Sequence, residues 1–206
     1  PDHSLAAAGD FPAAVGTAKY FAGNMVYFQP FLCYNQERNT DGGRAARGGK
    51  ETNMTRSNAR EIVANLIYEM NFTRDSADSV VEQTMEPLYY DTLGGESEAY
   101  ADKPGGQLPY IRDAVRGIRE KQEELDGYLA KYAINWSVSR ISKVARAILH
   151  VAMYEALYVD DVPVDAAISE AVELTRKYED EDVVAFVNGI LGSFVRDLEK
   201  RNVSGD

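Results

Sequence analysis

From Met54 to the C-terminal end, apolar positions recur at spacings of three and four, the period of helices that turn one face inward. Thr55 can cap a first helix carrying Ile62, Val63, Leu66, Ile67 and Met70 on one side. Asp75 or Ser76 opens a second, with Val80, Val81, Met85 and Leu88 directed inward. The Gly-, Pro- and acid-rich stretch 94–106 reads as a loop. A long third pattern over about 109–133 uses Ile111, Val115, Ile118, Leu125 and Leu129. Ser137 or Ser139 caps a fourth helix that ends near Val159. Asp161 caps a fifth, with Pro163 close to its first position, and Asp180 or Asp182 caps the last. No segment alternates with a period of two, so no strand is expected. The fold class is all-α, a bundle of two packed helical subdomains at about 54–135 and 136–206.

Residues 1–53 break this pattern. They mix Gly-Gly, Pro and scattered aromatics without a sustained period, and are read as a leader that is non-native or disordered. The alternative is a regulatory or RNA-binding tail, for which Arg44, Arg47 and Lys50 supply the charge. Charge divides the chain at the same place. The leader has five acids (Asp2, Asp10, Glu37, Asp41, Glu51) and five bases (Lys19, Arg38, Arg44, Arg47, Lys50), so the formal net charge of −11 belongs to residues 54–206.

A net-acidic protein repels phosphate overall, so the distribution of charge matters more than its sum. No acid lies between Asp126 and Glu155, where Lys131, Arg140, Lys143 and Arg146 are basic, whereas 160–182 holds nine acids against Arg176 and Lys177. At 100° per residue, Arg140, Lys143, Arg146 and His150 fall on one side of the fourth helix, opposite Ile141, Val144, Ile148, Val151 and Ala152. This stripe has no acid beside it on the helix. It is either an ordinary solvated face or a local phosphate-binding surface within a negative molecule. Arg56 and Arg60, four apart, share a face near the start of the first helix, where free backbone N–H groups favour an anion.

The motifs then acquire an order. The chain carries V-x-R-A-I-L from Val144, A-x-Y-E from Ala152, D-V-P from Asp161, A-I-x-E-A-V-E-L from Ala167 and F-V-N-G from Phe186, with Ala59-Arg60-Glu61 and Leu66-Ile67-Tyr68 upstream. In this order and spacing they resemble the NusB family of bacterial transcription antitermination factors, over residues 54 to about 198. The resemblance implies a NusB-like helical bundle that binds the single-stranded boxA element of nascent ribosomal RNA. It also implies that the protein acts with ribosomal protein NusE on the RNA polymerase elongation complex. The family's arginine-rich cluster falls at Arg56 and Arg60, but Ser57 and Asn58 stand where further basic residues are common. Asn58 is either a base reader or a plain surface residue. Phe186 is either core or a base-stacking ring, and Asn188-Gly189, costly in mid-helix, marks either a polar contact by Asn188 or a close helix approach at Gly189. Lys143 and Arg146 join the RNA-binding candidates. Tyr132 and Trp136 are each either core or base-stacking rings, with the core favoured for Trp136. Tyr68 is either a core tyrosine or part of the NusE-binding surface that the resemblance puts there.

Catalysis finds little support. His150 is the only histidine after the leader, no Gly-rich loop follows a strand, and the acidic runs are those of solvated helix ends. No enzyme activity and no cofactor are expected. Cys33 is the only cysteine, which excludes an intrachain disulfide or thiolate metal cluster. No apolar run nears the ~18 residues of a membrane span and the opening lacks a secretory signal, so a cytoplasmic protein is expected. The competing reading is a helical protein-interaction scaffold without RNA binding, which the acidic charge would suit.

Overall fold

Thr55 starts the first helix as its sequence suggests. Its Oγ1 accepts from the Asn58 N–H at 3.1 Å, and α1 (Arg56–Glu69) follows. This is a computed structural model describing residues 53–133 and 141–204. The chain then forms α2 (Ala77–Thr84), α3 (Pro87–Leu93), α4 (Leu108–Glu120), α5 (Gln122–Tyr132), α6 (Lys143–Tyr158), α7 (Val164–Tyr178) and α8 (Glu181–Ser204). No strand occurs among the described residues, only an isolated bridge between Asn53 and Lys103. The fold is all-α, as the periodicity indicates.

α6 is the centre of the assembly. α1, α4, α5, α7 and α8 all pack on it, and Ala145, Ala147, Ile148, Leu149, His150, Val151, Ala152 and Met153 are all buried. A helix buried over most of its circumference cannot keep a wide solvent face. The basic stripe is therefore much narrower than the helical wheel suggests. His150 is 3 % exposed, and of the described stripe residues only Lys143 and Arg146, in the first turn, reach the surface. Buried residues from both halves of the chain join one apolar cluster, from Met54 and Ile62 through Leu125 to Leu191 and Phe194. The subdomain boundary near Asn135 lies outside the described residues.

Several element boundaries differ from expectation, each for a local reason. Leu88 is exposed rather than inward, because Pro87 opens a separate helix, α3, whose buried residues are Tyr90 and Leu93. The long third pattern is two helices joined at Lys121, which has φ −97° and ψ 10°. Ile118 and Leu125 are seven residues apart, close to two turns, so the apolar phase carries across the break. The fourth helix is capped by Ser142, whose Oγ accepts from the Ala145 N–H at 3.0 Å. Ser137 and Ser139, with Trp136 and Arg140, lie outside the described residues, as do residues 1–52 with Arg44, Arg47 and Lys50. Pro163, not Asp161, holds the cap position of α7, without a side-chain bond. Of the two acids considered for the last helix, Asp180 stands at its start, its carbonyl accepting from Val183 and Val184.

The loop 94–106 is more structured than its composition suggests. It contains two 3-10 turns, Glu98–Tyr100 and Gly105–Gln107, and buries Ala99 and Tyr100 against α1. Glu61 of α1 anchors this side of the molecule. Its carboxylate, 8 % exposed, pairs with Lys177 Nζ at 2.7 Å and accepts from the hydroxyls of Tyr178 and Ser97. A carboxylate removed from water is costly unless hydrogen-bond donors replace its hydration, and these three supply that replacement.

The close approach expected at Gly189 is not found: no described atom lies within 4 Å of where its Cβ would stand. Gly117 of α4 is the crowded position, where an added Cβ would fall 2.0 Å from Tyr154 Oη of α6. Gly189→Ala should accordingly raise stability by roughly 0.5–1 kcal/mol through helix propensity alone, an increase of a few degrees in Tm by calorimetry. A lower Tm would reveal crowding around Gly189.

Candidate nucleic-acid interface

The cations proposed from sequence occupy two regions at opposite ends of α1. At 1.5 Å per residue, these ends are about 20 Å apart.

Arg56 is in the first turn of α1. Its guanidinium lies 4.0 Å from the centroid of the Tyr110 ring, with Nη2 3.3 Å from Asp161 Oδ2 on the turn between α6 and α7. One turn further, Arg60 points inward. Its Nε donates to both oxygens of Glu155, at 3.0 and 2.8 Å, and its Nη1 lies 3.4 Å from Glu170. The Glu155 side chain is 1 % exposed and also accepts from Tyr110 Oη at 2.8 Å. Burial works against the Arg60 charge, but Glu155 more than offsets this and holds the guanidinium above its ordinary pKa. Burial, reinforced by Glu155, pushes the Tyr110 hydroxyl well above the usual range, so it stays a donor. Arg60 is a strut between α1 and α6, while Arg56 keeps a partly open face. Asn58, half-buried between them, donates its N–H to the Thr55 cap.

At the other end, Lys143 is exposed, and its Nζ lies 3.7 Å from the centroid of Phe72. Phe72 is 56 % exposed, and its ring centroid is 5.1 Å from that of Tyr68. The candidate for partner binding and a candidate for RNA binding thus meet around a residue that the helical pattern did not select. Phe72 lies just past α1, outside any periodic stretch, and only its exposure identifies it. Among the described residues, no carboxylate forms an ion pair with Lys143.

Arg146, one turn along α6, differs. Its guanidinium is paired with both oxygens of Asp126 on α5, and His150 Nε2 lies 2.9 Å from Asp126 Oδ1. Burial raises the pKa of this carboxyl, but hydrogen bonds from His150 and Arg146 outweigh it and hold the group below its ordinary value. The stripe therefore does have an acid beside it. Asp126 bounds the acid-free segment in sequence, and the fold brings it back onto the helix.

The remaining candidates lie elsewhere. Tyr132 sits between α5 and α8, its Oη 3.0 Å from Asp197 Oδ2 and its ring centroid 6.0 Å from that of Phe194. Lys131 also pairs with Asp197, at 2.6 Å. On α8, Phe186 is half-buried against the core, whereas Asn188 and Gly189 are exposed. Glu69, missed in the sequence reading, is 8 % exposed at the end of α1. Burial, with Asp75 adding a smaller effect, pushes its carboxyl up to about 7. No described helix is long and apolar enough to cross a membrane.

Comparison with known proteins places this arrangement among relatives. The NusB family model matches residues 57–196. Transcription antitermination protein NusB of Acetivibrio thermocellus is 41 % identical over 143 residues, covering 69 % of this chain and 90 % of that protein. Its namesake in Thermoanaerobacter pseudethanolicus is 37 % identical over 145 residues, covering 70 % and 92 %. Among solved structures, T. maritima NusB aligns with a TM-score of 0.57 at 27 % identity, over 70 % of this chain and 93 % of that one.

Proposed function

The chain belongs to the NusB family, and from that premise we propose that it is a cytoplasmic transcription antitermination factor that binds boxA-type single-stranded RNA together with ribosomal protein NusE. It acts on the RNA polymerase elongation complex without catalysis or a cofactor. The observation that carries the RNA reading is the state of two cations. In a molecule of net charge −11, Lys143 is exposed with no carboxylate ion pair among the described residues, and Arg56 is partly exposed and meets only the exposed Asp161, whereas Arg60 and Arg146 are held by both oxygens of a carboxylate. Two cations seated on aromatic rings suit a strand that offers both phosphates and base faces. Tyr68 and Phe72 supply the amphipathic aromatic surface typical of a protein interface, and that surface is assigned to NusE. Phe186 and Asn188, on α8, are assigned to the RNA path, Phe186 through its exposed portion.

Titrating a short boxA-type RNA across a salt series tests this reading. Arg56→Ala and Lys143→Ala should each weaken binding to all sequences and flatten the salt dependence by a slope of ~0.7. Arg60 and Arg146 are expected to affect binding only through folding. Phe186→Ala should lose on the order of 1–3 kcal/mol if the ring stacks on a base, with the slope unchanged. If Arg56→Ala, Lys143→Ala and Phe186→Ala all bind like the parent, the scaffold reading takes its place, and Phe72→Ser should then weaken a protein complex alone.

A further inference from the structure

Arg56, Arg60 and Arg146 each face a carboxylate of the same chain, but the pairs are not equivalent. Glu155 is 1 % exposed and takes Arg60 through both oxygens. Asp126 holds Arg146 and His150 together. Neither acid can leave without stranding a partly or fully buried charge. Asp161 is different. Its side chain is 71 % exposed on the turn between α6 and α7, and it meets Arg56 through one contact of 3.3 Å. If Asp161 swings into solvent, Arg56 remains on the face of Tyr110, 4.0 Å from the ring centroid. Tyr110 is in turn fixed by its 2.8 Å hydrogen bond to Glu155. The guanidinium is thus held in position by groups that stay, and covered by one that can go.

We propose that Asp161 is an internal competitor for the anion site at Arg56: it occupies the guanidinium in the free protein and is displaced by an RNA phosphate. This rests on the reading of Arg56 as a phosphate contact. The exchange replaces one exposed ion pair by another, so no buried charge is exposed and no helix moves. A weak single anion gains little by it, whereas a strand already bound at other points can complete it. Asp161 then lowers the affinity of every anion that engages Arg56 by the same factor, a cost that a strand bound at other points can bear.

The experiment uses the full chain and a short boxA-type single-stranded RNA at low salt. Asp161→Asn is compared with Asp160→Asn, which makes the same change in net charge one residue away, at an exposed acid. Exposed ion pairs of this kind correspond to a few-fold in an equilibrium, so Asp161→Asn should bind roughly two- to five-fold more tightly than Asp160→Asn. In an Arg56→Ala background, the difference between the two should vanish. If Asp161→Asn binds no more tightly than Asp160→Asn while Arg56→Ala still weakens binding, the competitor proposal is overturned and the phosphate reading stands. If Asp161→Asn binds more weakly, Asp161 orients Arg56 and the proposal is also overturned. If Arg56→Ala binds like the parent, the phosphate reading fails and the proposal falls with it.

Discussion

Arg60→Met should destabilise the protein by about 3–5 kcal/mol, the cost of leaving one member of a buried ion pair without its partner. The Glu155 carboxylate is 1 % exposed, and Arg60 contacts both of its oxygens. Without the guanidinium it keeps only the Tyr110 hydroxyl among the groups bonded to it here. It must then stay charged with too few donors or take up a proton. For a domain of this size, the loss corresponds to a fall in Tm on the order of 10 °C, read by calorimetry or urea unfolding. Adding Glu155→Leu to Arg60→Met should recover most of the loss, because a matched apolar pair removes the stranded charge. A single mutant that keeps its stability and loses only RNA affinity would show Arg60 to be a contact rather than a strut.

Glu69→Gln should stabilise the protein at neutral and alkaline pH and have little effect in acid. The folded carboxyl titrates at about 7, against 4.5 for the free group, because it is buried and faces the charge of Asp75. Below the unfolded value both states carry the proton, and the stability linked to it is fully present. As pH rises from about 4.5 towards 7, the unfolded chain releases this proton while the folded chain retains it, so stability falls and levels off above the folded value. The shift corresponds to a few kcal/mol at most, reduced by the solvent that still reaches the carboxyl, so about 2 kcal/mol is expected. Glutamine cannot titrate. The difference in unfolding free energy between mutant and parent, measured from pH 4 to pH 8, should therefore grow by about that amount. A difference that stays constant with pH would mean that Glu69 ionises freely in the folded state.

What was legible in the chain depended on how locally each feature is determined. The first helix was readable from the Thr55 cap through Met70, since capping and periodicity act within a few residues. α3 was missed because Leu88 extends the spacing of Val80 and Val81, while Pro87 restarts the helix in a new direction. The break at Lys121 was invisible because Ile118 and Leu125 stay in phase across it. The cap of α6 was placed too early because several serines precede the helix, and only the fold selects Ser142, which also bonds Glu179. The candidate cations Arg56, Arg60, Lys143 and Arg146 were singled out by residue type and spacing. Which of them remain accessible was not legible, and neither was the role of Phe72.

By itself, the sequence determined the all-α class, most of the apolar positions that enter the core, the order of motifs shared with the NusB family, and the concentration of negative charge in residues 54–206. These are properties of local period and composition, and they hold for any arrangement that buries the same faces. Only the tertiary structure decided the electrostatic state of each cation. Arg60 meets Glu155 across 95 residues, Arg146 meets Asp126 across 20, and Arg56 meets Asp161 across 105. A salt bridge depends on distance and burial in space, and neither is encoded in the spacing along one helix. An arginine can therefore be a strut inside the bundle, as Arg60 is, or a partly exposed cation at its edge, as Arg56 is, and packing around α6 separates the two.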